Sequence, residues 1–305
     1  MQHGQLAEAR EDLEQAARAD PDNAYVWTSL AETYLRLKKR QEAQSAASKA
    51  EKLGGKNPVV SHALAMYYSE SGDRGRAFDF AEAAEKQQPS AANRDLLAQT
   101  GFEYGQVLLR QQNFTRAADV FGVALQESPQ NAQLTLALGV ARYGQRRFED
   151  AIAQFLKVIE LDPDVEQPYI FLGRMLDQAG SRLHEITKFC EAWAAKNGQN
   201  AEAQLVLAKA LLAGDPSSER AEELLRRSIA LDPKNWESHY ELGVLLAGKH
   251  AYQEAVAELT RSCELDPKQS MPHYHLARVY DRLGETEKAK AEREMHERLI
   301  ASGAR

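Results

Sequence analysis

The side chains able to do chemistry are few and scattered. Eight histidines and two cysteines stand among 305 residues. No H-E-x-x-H pair occurs, the spacing that sets two imidazoles on one helical face around a zinc ion. His273 and His275 are two apart, which on a helix aims them at different faces. His239 and His273 recur at one spacing and read as packing histidines rather than ligands. Gly54-Gly55-Lys56 lacks the upstream glycine of a loop that cradles phosphate. Asn113-Phe114-Thr115 matches a glycosylation acceptor, a triplet common enough to carry little weight. Abundant carboxylates read as solvated outer faces. No catalytic, cofactor-binding or metal-ligating set is expected, and the chain is not expected to be an enzyme.

The elements that would position any site are set by one phrase that keeps returning. It runs from Trp236 to Pro267, through Leu242-Gly243, Tyr252, Ala255, Leu259 and Ser262 to Leu265-Asp266-Pro267. The closure Leu231-Asp232-Pro233 lies 34 residues earlier, and Ser128-Pro129 and Leu161-Asp162-Pro163 form another pair 34 apart. This period and residue pattern resemble the tetratricopeptide repeat family. The resemblance implies an all-α fold, a right-handed superhelical α-solenoid of about eight and a half helix-turn-helix repeats over one domain, 1–305. Residues 1–23 read as the second helix of a truncated repeat. Full repeats follow at 24–57, 58–97, 98–131, 132–165, 166–200, 201–235, 236–269 and 270–305.

With the closing proline as position 32, the first helix should bury positions 4, 7, 8 and 11 on one stripe. These are Trp27, Leu30, Ala31 and Tyr34 in the first full repeat, Tyr169, Leu172, Gly173 and Leu176 in the fifth, and His239, Leu242, Gly243 and Leu246 in the seventh. Glycine at position 8 (Gly105, Gly139, Gly173, Gly243) costs about 1 kcal/mol of helix propensity and implies a close helix crossing. Second helices should bury positions 20, 24 and 27, as in Ala43, Ala47 and Ala50 or Ala117, Phe121 and Ala124. Proline stops most second helices; Gly54-Gly55 and Asn197-Gly198 replace it after the first and fifth repeats. Ser90 to Leu97 is extra sequence, read as a longer first helix or an added turn. Glu185 stands where alanine is expected, so the fifth repeat should fit worst. Cys190 and Cys263, two repeats apart, should be too distant for a disulfide.

Positions 2, 5, 9 and 12 of the first helices lie about 140° from the buried stripe at ~100° per residue. In the family resembled they line the concave groove. Position 5 runs Thr28, His62, Phe102, Leu136, Ile170, Leu205, Tyr240 and Tyr274. Position 9 runs Glu32, Met66, Gln106, Val140, Arg174, Lys209, Val244 and Arg278, and Tyr143 stands at position 12. This line is more apolar than a solvated face requires, as a partner surface would be; half-burial between tightly wound repeats is the competing reading. Arg174, Lys209 and Arg278, with Arg110 at position 13, put positive charge on the groove floor. The expected ligand is a peptide with apolar anchors and a carboxylate. Chaperone-binding members of the family use Lys at position 5 and Asn at position 9, and no repeat here carries either, so that mode is not expected.

Net charge is −7, which argues against nucleic acid, whose phosphates need a concentrated basic face. A 43% hydrophobic, 27% charged composition is that of a soluble folded protein. No apolar run reaches the ~18 residues that span a bilayer, so membrane insertion is not expected. Met1-Gln2-His3-Gly4 is no signal peptide. The missing first helix suggests a start cut from a longer protein, whereas Arg293 and His296 at positions 24 and 27 give the last helix the polar face of a terminal cap. The cytoplasm is favoured, with the periplasm open if an upstream signal has been removed. Three functions follow: a non-catalytic scaffold for protein or peptide segments, the partner-selecting arm of a larger enzyme or envelope assembly machine, or a homo-oligomer joined through Leu6, Leu13 and Ala16 of the unpaired first helix.

Overall fold

The computed structural model describes residues 2–303; Met1, Ala304 and Arg305, at the ends of the first and last expected segments, lie outside the described residues. Among the described residues every regular element is helical. The chain divides into two compact units, Met1–Lys157 and Val158–Arg305.

Unit 1 contains α1 (Gln2–Ala19), α2 (Ala24–Arg36), α3 (Arg40–Gly54), α4 (Pro58–Ser71), α5 (Arg74–Gln87), α6 (Ala91–Arg110), α7 (Phe114–Glu127), α8 (Ala132–Gly144) and the start of α9 (Phe148–Leu161). From α1 to α8 each helix packs on the next, and α2, α4, α6 and α8 also touch in series. The first helices therefore stand side by side, as nearest-neighbour repeats require. The second-helix positions expected to be buried in the first three repeats are all 0% exposed, from Ala43, Ala47 and Ala50 to Ala117, Phe121 and Ala124. The close crossing expected at position 8 is present at Gly139, where an added Cβ would lie 2.7 Å from Phe155 Cε1. The extra sequence before the third repeat becomes helix. Ser90 caps α6 by accepting from the Asn93 N–H, so α6 starts seven residues ahead of the expected boundary at Ala98 and is 20 residues long. In α1, Leu6, Leu13 and Ala16 are half-buried.

Unit 2 contains the rest of α9, then α10 (Gln167–Gly173), α11 (Leu183–Lys196), α12 (Ala201–Gly214), α13 (Glu219–Leu231), α14 (Trp236–Gly248), α15 (Tyr252–Leu265), α16 (Ser270–Leu283) and α17 (Thr286–Ala301). Its core includes Leu225, Leu242, Ala255 and Leu259. The fifth repeat is the irregular one. Its first helix stops at Gly173, and two 3₁₀ turns, 176–178 and 180–182, precede α11. Leu176 thus leaves the expected stripe and is only half-buried. The second helix is shifted by one residue: Ile186, Cys190 and Trp193 are buried where positions 20, 24 and 27 were expected, and Glu185 is left half-buried, paired with Arg182. Gly173 faces Val206 of α12 instead, whereas Gly243 faces Leu259 of its own second helix at 2.6 Å from an added Cβ.

Two local devices set the period. Asn23, Asn57, Asn131, Asn200 and Asn235 cap α2, α4, α8, α12 and α14 with their side-chain oxygens, satisfying amides that a helix start leaves open. Between the helices of a repeat, position 15 is left-handed: Lys38 (φ 62°), Gln112 (57°), Arg146 (61°) and His250 (61°), with Gly72 and Gly284 at the same place in their repeats. The following amides reach back to close the turn, as in Arg147 N to Arg142 O at 3.0 Å, the arrangement that satisfies a helix's last carbonyls.

Candidate functional site

In unit 1, Glu32, His62 and Met66 come together in a groove of about 450 Å³ that also includes Arg36, Glu70, Asp95 and Leu96. Glu32 is tied to Arg36. His62 Nδ1 lies 2.7 Å from Asn93 Oδ1, and Met66 is 53% exposed. Phe102 lines a neighbouring hollow of about 500 Å³ with Asp95, Gln99 and Glu103. Gln106, Leu136, Val140 and Tyr143 are half-buried, and Arg110 is exposed at the end of α6. Thr28 is buried, its hydroxyl bonded to the Tyr25 carbonyl at 2.8 Å. It turns inward because that bond satisfies the hydroxyl, and it offers no ligand surface.

In unit 2, Val244 and Arg278 meet in a groove of about 360 Å³ between α14 and α16, with His250, Tyr252, His275 and Arg282. Tyr274 stands at its edge, its ring 5.2 Å from that of His275 and 5.6 Å from the Arg278 guanidinium. Tyr240 is half-buried beside His275, rings 5.6 Å apart. Leu205 is 1% exposed and belongs to the core. Its apolar position-5 side chain is drawn between repeats, the packing alternative foreseen for this register. Lys209 is paired with Glu237, so its charge is neutralised within the fold. Arg174 caps the end of the short α10, with Phe171 at 5.9 Å; Ile170 is half-buried.

Desolvation governs the ionisation of this face. It pushes the Glu241 carboxyl up to about 7, against Lys209 and aided by Glu237. It raises Glu202 as well and lowers His275 to about 4, with Arg278 adding to the effect. His275 is therefore neutral at pH 7. The remaining candidate chemistry is structural. Burial raises both the Cys190 and Cys263 thiols to about 12, far from thiolate formation. His239 Nδ1 lies 2.6 Å from Glu258 Oε2, and its repeat mate His273 lies 2.6 Å from Glu292 Oε2. Each pair joins the two helices of a repeat. Asn113 accepts from the Arg116 amide as the cap of α7.

Arg282, His250, Tyr252 and His275 lie outside positions 2, 5, 9 and 12 of the first helices. Arg282 occupies position 13, the place that singled out Arg110, so the signal was present. His250 and Tyr252 come from the inter-helix turn and the start of the second helix, outside that register. Glu70 and Asp95, which make the unit 1 groove acidic, were also absent from it.

A family model described as Tetratricopeptide repeat matches residues 102–180 and 217–270, and a second of the same description matches 1–67. A Peroxisomal targeting signal receptor from Komagataella phaffii is 28% identical over 176 residues, 56% of this chain and 30% of the receptor; the chain thus spans under a third of the length of that curated relative. The crystal structure of the APC/C hetero-tetramer Cut9-Hcn1 is 15% identical with a TM-score of 0.55, covering 96% of this chain and 56% of that one. The human IFIT1 dimer with m7Gppp-AAAA is 20% identical with a TM-score of 0.51, covering 93% and 71%. At such identities the structural likenesses show the fold, an α-solenoid. The two models together take in about two-thirds of the sequence, and the chain belongs to the tetratricopeptide repeat family, whose repeats build protein-interaction scaffolds.

Proposed function

We propose that this chain is a non-catalytic scaffold that holds segments of other proteins on the first-helix face of each unit. One observation carries the reading. Seven large hydrophobic side chains are exposed among the described residues, and five of them sit on first helices in the 2, 5, 9 register: Tyr25, Val59, Met66, Met271 and Tyr274. The other two, Leu53 and Ile300, stand on α3 and α17; exposed apolar surface concentrated in one register marks an interaction face. The second helices bury most of their apolar positions in the core and present charge outward, as in the ion pairs of Arg226 with Glu222 and Glu254. A non-catalytic role is supported by the bonding of the likeliest reactive groups: the thiols are held protonated and the repeat histidines are bound to carboxylates within their own hairpins. The curated relative is by name a receptor for a targeting signal, and recognition of a segment of another protein is the same kind of task.

The test is an array of twelve-residue peptides of varied sequence probed with the full chain. Peptides that bind should lose affinity on Met66→Glu or Tyr274→Ala and keep it on Asp119→Ala or Ala257→Glu, exposed positions of second helices. The reverse pattern rejects the assignment.

A further inference from the structure

The two grooves differ in charge. In unit 1, Glu70 and Asp95 flank the groove beside Met66. In unit 2 the groove between α14 and α16 is edged by Arg278 and Arg282. Neither arginine pairs with a carboxylate among the described residues, while neighbouring cations do: Lys249 with Glu222, Arg261 with Glu264, Arg293 with Asp281. In a chain of net charge −7, two unpaired guanidiniums on one wall of a groove are a local excess that would draw an anion.

The opposite wall is apolar and has room. Val244, Ala247 and Gly248 come from α14, and nothing lies within 4 Å of where a Gly248 Cβ would stand. His275, uncharged at pH 7, adds no cation of its own. The arginines are four residues apart, about 6 Å along the helix at ~1.5 Å per residue. Alternate side chains of an extended segment recur at about 6.6 Å and share one side, while the residue between them points to the other. A segment lying between α14 and α16 can therefore offer two acids to α16 and one apolar side chain to α14.

We infer that the α14–α16 groove receives an extended protein segment with the pattern acid–apolar–acid, its two carboxylates on Arg278 and Arg282 and its central side chain against Val244, Ala247 and Gly248. This rests on the scaffold reading above. Guanidinium is suited to the task, since its planar donors match a carboxylate in two-point contact. Internal side chains supply both charges; a chain terminus supplies one.

The probe is a labelled twelve-residue peptide, C-terminally amidated, with Glu-Leu-Glu at its centre and serine and glycine around it. It is titrated against the full chain by fluorescence anisotropy. Companion peptides carry Gln-Leu-Gln amidated, Gln-Leu-Gln with a free C-terminus, and Glu-Ser-Glu. Glu-Leu-Glu should bind about fivefold or more tighter than amidated Gln-Leu-Gln at low salt, the scale of two exposed ion pairs. The preference should shrink as salt rises and vanish in Arg278→Gln/Arg282→Gln. Gly248→Phe, whose Cβ meets nothing within 4 Å, should weaken Glu-Leu-Glu, and Met66→Glu in unit 1 should leave the preference intact. Equal binding of the Glu and Gln peptides overturns the inference, as does a preference that survives loss of both arginines. A free-acid Gln-Leu-Gln as tight as Glu-Leu-Glu overturns the assignment to internal acids. If the acid preference is absent while Tyr274→Ala still lowers affinity, this inference falls and the scaffold reading stands. Absence of binding by every probe overturns the inference, and the peptide array then judges the scaffold reading by itself.

Discussion

Replacing Gly139 by alanine tests the close helix crossing on which the repeats depend. Away from any contact, alanine should stabilise a helix by about 1 kcal/mol over glycine. At Gly139 the new Cβ would lie 2.7 Å from Phe155 Cε1 and 2.9 Å from Cδ1, whereas carbon atoms rest at about 3.5–4.0 Å. The ring must retreat by about 1 Å, yet Phe155 is 0% exposed. Such overpacking costs about 1–3 kcal/mol, so the net effect runs from near zero to about 2 kcal/mol of destabilisation. Gly122 in the same unit is the control, because nothing lies within 4 Å of its Cβ position. Gly122→Ala should gain about 0.5–1 kcal/mol. Melting curves of the full chain, read by circular dichroism, should separate the two variants by several degrees, at about 2–4 °C per kcal/mol for a unit of this size. Phe155→Leu in the Gly139→Ala background should be less damaging than in the wild type, since the shorter side chain removes the overlapping ring edge. Gly139→Ala that stabilises as much as Gly122→Ala would refute the reasoning.

Three further outcomes follow from other features. Arg146→Gly should stabilise by about 0.5–1 kcal/mol, because φ is 61° there and a left-handed L-residue costs about 1–2 kcal/mol, offset in part by the entropy of glycine; urea unfolding with a lower midpoint would contradict it. Glu241 binds its proton more tightly folded than unfolded, with a carboxyl at about 7 against an ordinary 4.5. Its contribution to stability is thus full below about 4.5 and lost as pH rises through about 7. Glu241→Gln should raise stability at pH 8 by on the order of 2 kcal/mol and flatten this part of the pH profile; equal stability of variant and wild type at pH 8 counts against the assignment. Cys190 and Cys263, with thiols near 12 against an ordinary 9.0, should react with iodoacetamide about a thousandfold more slowly folded than in urea, which mass spectrometry reads directly.

Much of the fold is legible in the residues because one period repeats. Alanines at positions 20, 24 and 27 can only be second-helix core, and in the first three repeats they are buried without exception. Ser90, three residues before Asn93, carries a capping signal that separates the longer helix from the added turn. The fifth repeat is legible only in part. Glu185 marks a poor fit, but whether the first or second helix yields depends on which neighbour fills the gap, and Val206 does so from the next repeat. The site is less legible still. A helical wheel places Thr28 and Leu205 with Tyr274, yet the first two are buried and Tyr274 is 39% exposed, because exposure at position 5 depends on the side chains of adjacent repeats. Pairing is equally hidden from a single helix: Lys209 and Arg278 hold the same register, and only Lys209 has a carboxylate from the following repeat, Glu237, within reach.

The central claim is that partner segments lie on the first-helix face. Photo-cross-linking tests it most directly, with p-benzoylphenylalanine placed in the full chain at Met66, Tyr274, Asp119 or Ala257 and a peptide selected from the array as ligand. Peptide adducts are expected from Tyr274 or Met66, and none above background from the second-helix positions Asp119 and Ala257. Adducts from Asp119 or Ala257, with none from the first helices, would contradict it.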